Sequence, residues 1–159
     1  MALVNSTETK DAELEFTGRS SALQHRLLIV EDDTATKFAI TKLADSIGYV
    51  TKGAASLQEA ERLLRTERYD CITLDLTLGR DSGVQLIKAL ADRAPDASII
   101  FVSGSPAWAR TIASSVARVA RLNVIDVVTK PIDFSQLRGI LTSAKESLST
   151  QQRQRTMHY

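Results

Sequence analysis

Glu31, Asp32 and Asp33 form an acidic triplet directly after the apolar run Leu27–Val30. Asp75 follows the run Cys71–Leu74, Ser103 follows Ile99–Val102, and Lys130 follows the run from Val124 to Thr129. Carboxylates a few ångströms apart repel one another. A hard divalent cation such as Mg²⁺ relieves that repulsion through oxygen ligands and keeps waters for the rest of its shell. An ammonium and a hydroxyl beside such a set suit phosphoryl transfer. The carboxylate attacks phosphorus, the cation and lysine hold charge on the equatorial oxygens, and the hydroxyl hydrogen-bonds one of them. The acidic residues alone would be read as a solvated loop without metal. Lys130 and Ser103 at two further run ends tip the reading toward chemistry.

These groups meet only if the runs are parallel strands whose carboxyl ends share one edge, where open α/β sheets build their sites. The pattern supports that arrangement, since strand and helix alternate five times from Leu27. A helix is expected over about 34–47, with Phe38, Ile40, Leu43 and Ile47 apolar and Gly48 as its stop. A weak strand, Tyr49–Ala54, follows. Ser56 and Glu59 make a capping box for a helix that buries Ala60, Leu63 and Leu64. The next helix carries Val84, Leu86, Ile87 and Leu90. Ser105 as N-cap and Pro106 at the first position open another, reaching about Arg121. Asp133 with Gln136 opens the last, to about Leu148. Alternation of this kind implies right-handed βαβ units and a doubly wound parallel sheet of five strands. The first, third and fourth strands are nearly continuous apolar runs, as strands covered on both faces should be.

The chain has 159 residues, 43% hydrophobic and 25% charged, enough for one domain with a sizeable core. Its expected parts are a flexible arm over residues 1–25, a folded domain over 26–149 and a flexible tail over 150–159. A net charge of +1 offers no electrostatic reason for a nucleic-acid or membrane partner. No apolar stretch is long enough for a membrane helix or a secretory leader. Cys71 is the sole cysteine, so no internal disulfide can form, and a reducing cytoplasm fits. Inside an apolar run it reads as core packing, not as a nucleophile.

The stretches LLIVEDD, YDCITLDLTLGRDSG, IIFVSG and VVTKPID together resemble the receiver domains of two-component response regulators, over about Leu27 to Leu148. The resemblance implies a flavodoxin-like receiver fold with strand order 2-1-3-4-5. It implies that Asp75 accepts phosphate from a histidine kinase or histidine phosphotransfer protein. Asp32 would bind Mg²⁺ directly, Glu31 through a water, and Asp75 and the backbone carbonyl of Thr77 would complete the metal site. Ser103 matches the switch hydroxyl, and Lys130 the lysine that pairs with the phosphoryl group. Gly83 would end the loop after Asp75, and Pro131 would follow a cis peptide bond. Asp33 lies one place beyond the acidic pair and reads as solvated.

Three positions depart from the family pattern. Gly79 stands where proline is common, and Val127 where the family has an aromatic switch residue. The interval from Ser103 to Lys130 is also longer than usual. Ser-Gly-Ser and the long Ala/Arg-rich stretch resemble receivers found with cyclic-diguanylate phosphodiesterase (EAL) domains or hybrid kinases. No such domain follows here, so a stand-alone receiver is expected, signalling by protein contact or onward phosphate transfer and not acting as a metabolic enzyme. A contact face on the fourth helix, fifth strand and fifth helix would include Trp108, which equally suits packing in its own fold; a homodimer stays open. Thr77 and Ser105 lie where the family tunes acyl-phosphate hydrolysis. Both are small and uncharged, which suits a long-lived phospho-state.

Rival readings have specific weaknesses. A phosphatase of the haloacid-dehalogenase type, or a Toprim nucleic-acid enzyme, needs a second acid two residues after the first, and that place holds Thr77. A non-phosphorylated receiver used as a docking or dimerisation scaffold would need none of Glu31, Asp32, Asp75, Ser103 and Lys130 together. Arg110, Arg118 and Arg121 read as solvated helix residues, and Arg153 and Arg155 form too small a patch for DNA. His25 and His158 are given no part in the chemistry.

Overall fold

The computed structural model describes residues 23–78, 83–104, 107, 111, 115–116 and 118–158. Strands β1 (Arg26–Val30), β2 (Val50–Ala54), β3 (Cys71–Asp75), β4 (Ser98–Ser103) and β5 (Asn123–Thr129) form one parallel sheet in the order β2-β1-β3-β4-β5. Helices α1 (Thr34–Ile47), α2 (Leu57–Thr66), α3 (Gly83–Arg93) and α4 (Phe134–Thr156) cover its two faces. Residues 115, 116 and 118–120, ahead of β5, are also helical. The doubly wound α/β architecture and its strand order are those expected from the sequence.

Successive strand residues point to opposite faces, which splits the apolar runs between two cores. Leu28, Val30, Ile72, Leu74, Ile99 and Phe101 pack under Leu57, Ala60, Leu63 and Leu64 of α2 and Leu86 and Leu90 of α3. Leu27, Ile29, Cys71, Ile100, Val102 and Val128 pack under Ile40, Leu43 and Ala44 of α1 and Leu137, Leu141 and Ala144 of α4. Each fully buried large side chain stabilises by roughly 1.5–3 kcal/mol, so the central strands are held on both sides. β5 carries a bulge: Ile99 pairs with Val124 and Ile100 with Asp126, so Ile125 is the extra residue. The bulge returns Val127 to the α2–α3 side, where Val124 also packs, and leaves Val128 on the other.

Helix ends are closed by local chemistry. Asp33 caps α1 by accepting from the Ala35 amide at 3.0 Å, so it serves the helix. Gly48, at φ 102°, ends α1 in the left-handed region with its amide on Ala44 and Asp45 carbonyls. Ser56 accepts from the Glu59 amide at 3.1 Å, while the Glu59 carboxylate turns back to the Ala55 amide at 2.9 Å. Asp133 caps α4 through the Ser135 and Gln136 amides.

Several expectations need correction. The tail over 150–159 is not frayed, because α4 runs through Thr156. No Gly or Pro interrupts the stretch after Leu148, its Gln and Arg residues favour helix, and Thr150 and Thr156 donate to carbonyls four residues back. His25 belongs to the folded body and not to an arm. It is 3% exposed, and its Nε2 lies 3.0 Å from Ser149 Oγ of α4. Phe38 points outward, 61% exposed, with the Lys42 ammonium 5.3 Å above its ring. The remainder of the expected arm (residues 1–22), Gly79, the Ser105–Pro106 cap, Trp108 and Arg110 lie outside the described residues.

Candidate functional site

Strand register assembles the site. Val30 pairs with Leu74, which sets Glu31 beside Asp75. Asp75 pairs with Val102, and Ser103 with Thr129, so Ser103 and Lys130 follow on the next strands. The Lys130 amide bonds the Ser103 carbonyl at 2.8 Å, tying the last two strand ends together. The peptide bond from Lys130 to Pro131 is cis. Glu31, Asp75 and Ser103 are buried, whereas Asp32 is exposed at the rim.

The Lys130 ammonium lies 2.8 Å from Asp75 Oδ2 and 3.1 Å from Glu31 Oε1, and so bridges two buried carboxylates. Asp75 Oδ1 accepts from the Thr77 amide at 2.8 Å and from the Thr77 hydroxyl at 2.6 Å. Glu31 Oε1 also accepts from the Asp33 amide at 3.2 Å. Burial pulls the Asp75 carboxyl upward, but hydrogen bonds from Lys130 and Thr77 outweigh it and hold the group below the usual aspartate range. Burial raises Glu31, and the Lys130 hydrogen bond offsets only part of that. Burial would lower Lys130, yet its bonds to Asp75 and Glu31 raise it. The site therefore holds an ionised, hydrogen-bonded aspartate beside a firmly charged ammonium.

One carboxylate oxygen from each of Glu31, Asp32 and Asp75 lies within 4.8 Å of the others. Glu31 Oε2 is buried with no hydrogen-bond partner among the described residues. An all-oxygen set of this kind, with an orphaned buried carboxylate oxygen, fits a hard divalent cation. The structure thus brings Glu31, Asp32, Asp75, Thr77 and Lys130 together, with Ser103 at the adjoining strand end. Val127 packs partly buried against the α2–α3 core. The bond from the Thr77 hydroxyl to Asp75 goes beyond the sequence reading, which gives that side chain a place only in tuning hydrolysis and the carbonyl a place at the metal. A Thr two residues after an Asp is a recognisable signal for such a local bond.

Comparisons with known proteins follow the same lines. The family model for the response regulator receiver domain matches residues 27–142. The photosynthetic apparatus regulatory protein RegA of Rhodobacter capsulatus is 28% identical over 137 residues, covering 86% of this chain and 71% of RegA. The alginate biosynthesis transcriptional regulatory protein AlgB of Pseudomonas aeruginosa is 28% identical over 127 residues. That match takes in 80% of this chain and 27% of AlgB, so the chain spans about a quarter of that protein's length. A response regulator from Colwellia psychrerythraea superposes with a TM-score of 0.66 at 30% identity, covering 80% of this chain and 98% of its own. Another, from Burkholderia pseudomallei, was solved with a phosphorylated aspartic acid, calcium ion and citrate. It matches with a TM-score of 0.62 at 27% identity, over 80% of this chain and 73% of its own.

Proposed function

The chain belongs to the response regulator receiver domain family, and from that premise we propose that Asp75 accepts a phosphoryl group from a phosphohistidine donor in a Mg²⁺-dependent reaction. The donor is a histidine kinase or a histidine phosphotransfer protein. The observation that carries this reading is the buried, ionised Asp75, held between Lys130 and Thr77 beside two further carboxylates. Asp32, Asp75, the Thr77 carbonyl and, through a water, Glu31 would hold Mg²⁺, which when bound supplies positive charge beside the transferring group.

An Asp75 oxygen attacks phosphorus; the O–P bond forms as the P–N bond to imidazole breaks, and the imidazole departs with that electron pair. Lys130 keeps its charge throughout, and its ammonium stays beside the oxygens that become more negative. Ser103, at the end of β4, would donate its hydroxyl to a phosphoryl oxygen. No residue two places after Asp75 offers a charge to drive hydrolysis, so the chemistry is limited to the protein's own phosphorylation and slow loss of phosphate. Output runs through contact with a downstream protein or onward transfer of phosphate.

The test is intact-protein mass after incubation with acetyl phosphate or phosphoramidate, with and without Mg²⁺. One phosphoryl adduct is expected in the wild type with Mg²⁺, falling at least a hundredfold in Asp75→Asn or in chelator. Absence of any adduct in the wild type would sink this reading and leave a docking scaffold, consistent with an aliphatic Val127 in place of an aromatic switch.

A further inference from the structure

The donors around Asp75 divide its oxygens unevenly. An ionised carboxylate has about four acceptor sites. The amide and hydroxyl of Thr77 take two on Oδ1, and Lys130 takes one on Oδ2. Lys130 also takes Oε1 of Glu31 and leaves Oε2 of that residue without a partner among the described residues. A divalent cation avoids the oxygens already facing an ammonium, since like charges repel at such range. The oxygens turned away from Lys130 are Glu31 Oε2, which is open, and Asp75 Oδ1, which is filled.

The three donors on Asp75 differ in how readily they can leave. The Thr77 amide is fixed by the backbone. Lys130 is held by a second carboxylate at 3.1 Å. The Thr77 side chain is exposed, so its hydroxyl can turn to water at small cost. Its 2.6 Å bond is in the range of charge-assisted O–H···O⁻ contacts, so it is a real competitor while it lasts.

We propose that the Thr77 hydroxyl is a releasable donor that competes with the divalent cation for Asp75 Oδ1, and so sets the metal affinity of the site. This rests on the metal-dependent reading above and adds a positioning role for this side chain. Bonded as it is to Oδ1, the hydroxyl fixes the plane of the acceptor carboxylate. A bound cation would displace this donor to water and take its place at Oδ1, while Lys130 would keep Oδ2. The Thr77 backbone carbonyl is untouched by substitutions of the side chain.

Calorimetric titration of Mg²⁺ into the full chain tests this, on wild type, Thr77→Val and Thr77→Ser. Val keeps the branched shape and loses the donor, whereas Ser keeps the donor. Thr77→Val should bind Mg²⁺ roughly threefold to tenfold more tightly, the scale of one lost competing hydrogen bond, and Thr77→Ser should match the wild type. Thr77→Ala stands in for Val should that variant fail to fold, as judged by thermal unfolding in chelator. Equal or weaker binding by the donor-free variant, or Ser behaving like Val, would overturn the proposal while leaving the receiver reading intact. A wild type that binds no Mg²⁺ and takes no phosphoryl group would overturn both.

Discussion

Burial pushes the Cys71 thiol up to about 12. An unfolded cysteine titrates near roughly 8.5, so the folded state holds this proton more tightly. Its contribution to stability is fully present below the unfolded value and is lost as pH rises toward the folded one. At pH 10 the loss should reach about 2 kcal/mol. Urea unfolding at pH 8 and pH 10 should therefore show a smaller alkaline fall in Cys71→Ala than in the wild type. Tyr49 and Tyr69, both raised by burial, keep part of the fall in either protein; equal falls would contradict the assignment to Cys71. The acidic pair, Asp75, Ser103 and Lys130 could be read from sequence because each ends an apolar run, and strand register then leaves little choice of position. The His25 bond to Ser149 could not, and the Thr77 hydroxyl bond, though local, shows in sequence only as an Asp followed two places on by a Thr. The first depends on long-range packing and the second on a side-chain rotamer, neither of which periodicity encodes.

Helices and strands were readable to the degree that their ends carry caps. Gly48, Ser56 and Asp133 mark boundaries chemically, and those boundaries match the structure, while the cap at Asp33 was hidden within the acidic triplet. The far end of α4 carries no such mark, so the polar composition after Leu148 suggested a stop that the backbone does not make. Two glycines make the point testable. At Gly139, within α4, an added Cβ would meet nothing within 4 Å, so Gly139→Ala should raise stability by roughly 0.5–1 kcal/mol through helix propensity. At Gly48, φ is 102° and an added Cβ would come 2.6 Å from Lys145 Nζ, whose ammonium donates to the Ile47 carbonyl at 2.8 Å. Gly48→Ala should cost about 1–2 kcal/mol from backbone strain alone. Chemical denaturation of both variants checks the opposite signs; a stabilised Gly48→Ala would rule out the left-handed stop.

The molecule has two poles. The carboxyl ends of the strands hold the acidic site, and the amino ends hold a polar joint. There the His25 ring meets Ser149 at 3.0 Å and Asp70 at 3.8 Å, the Arg26 amide bonds Asp70 at 2.8 Å, and the Arg26 guanidinium bonds Glu67. Removing the Ser149 hydroxyl leaves a buried imidazole nitrogen without its partner. Ser149→Ala should lose about 1 kcal/mol of stability, or roughly 2–4 °C in Tm, with Mg²⁺ affinity unchanged because the strands separate the two poles. Calorimetric unfolding and metal titration on one sample would expose any coupling.

The joint at the amino ends also frees the site from the order in which the chain is made. Positions 25 and 149 are 124 residues apart in sequence yet within one hydrogen bond in space. A short linker between them, in place of the last turns of α4, would close the strands and helices into a ring without passing the acidic edge. Reopened in another connection, such a circular permutant would begin on a different strand and still bring Glu31, Asp75, Ser103 and Lys130 together. Their alignment is a property of sheet register and not of chain continuity.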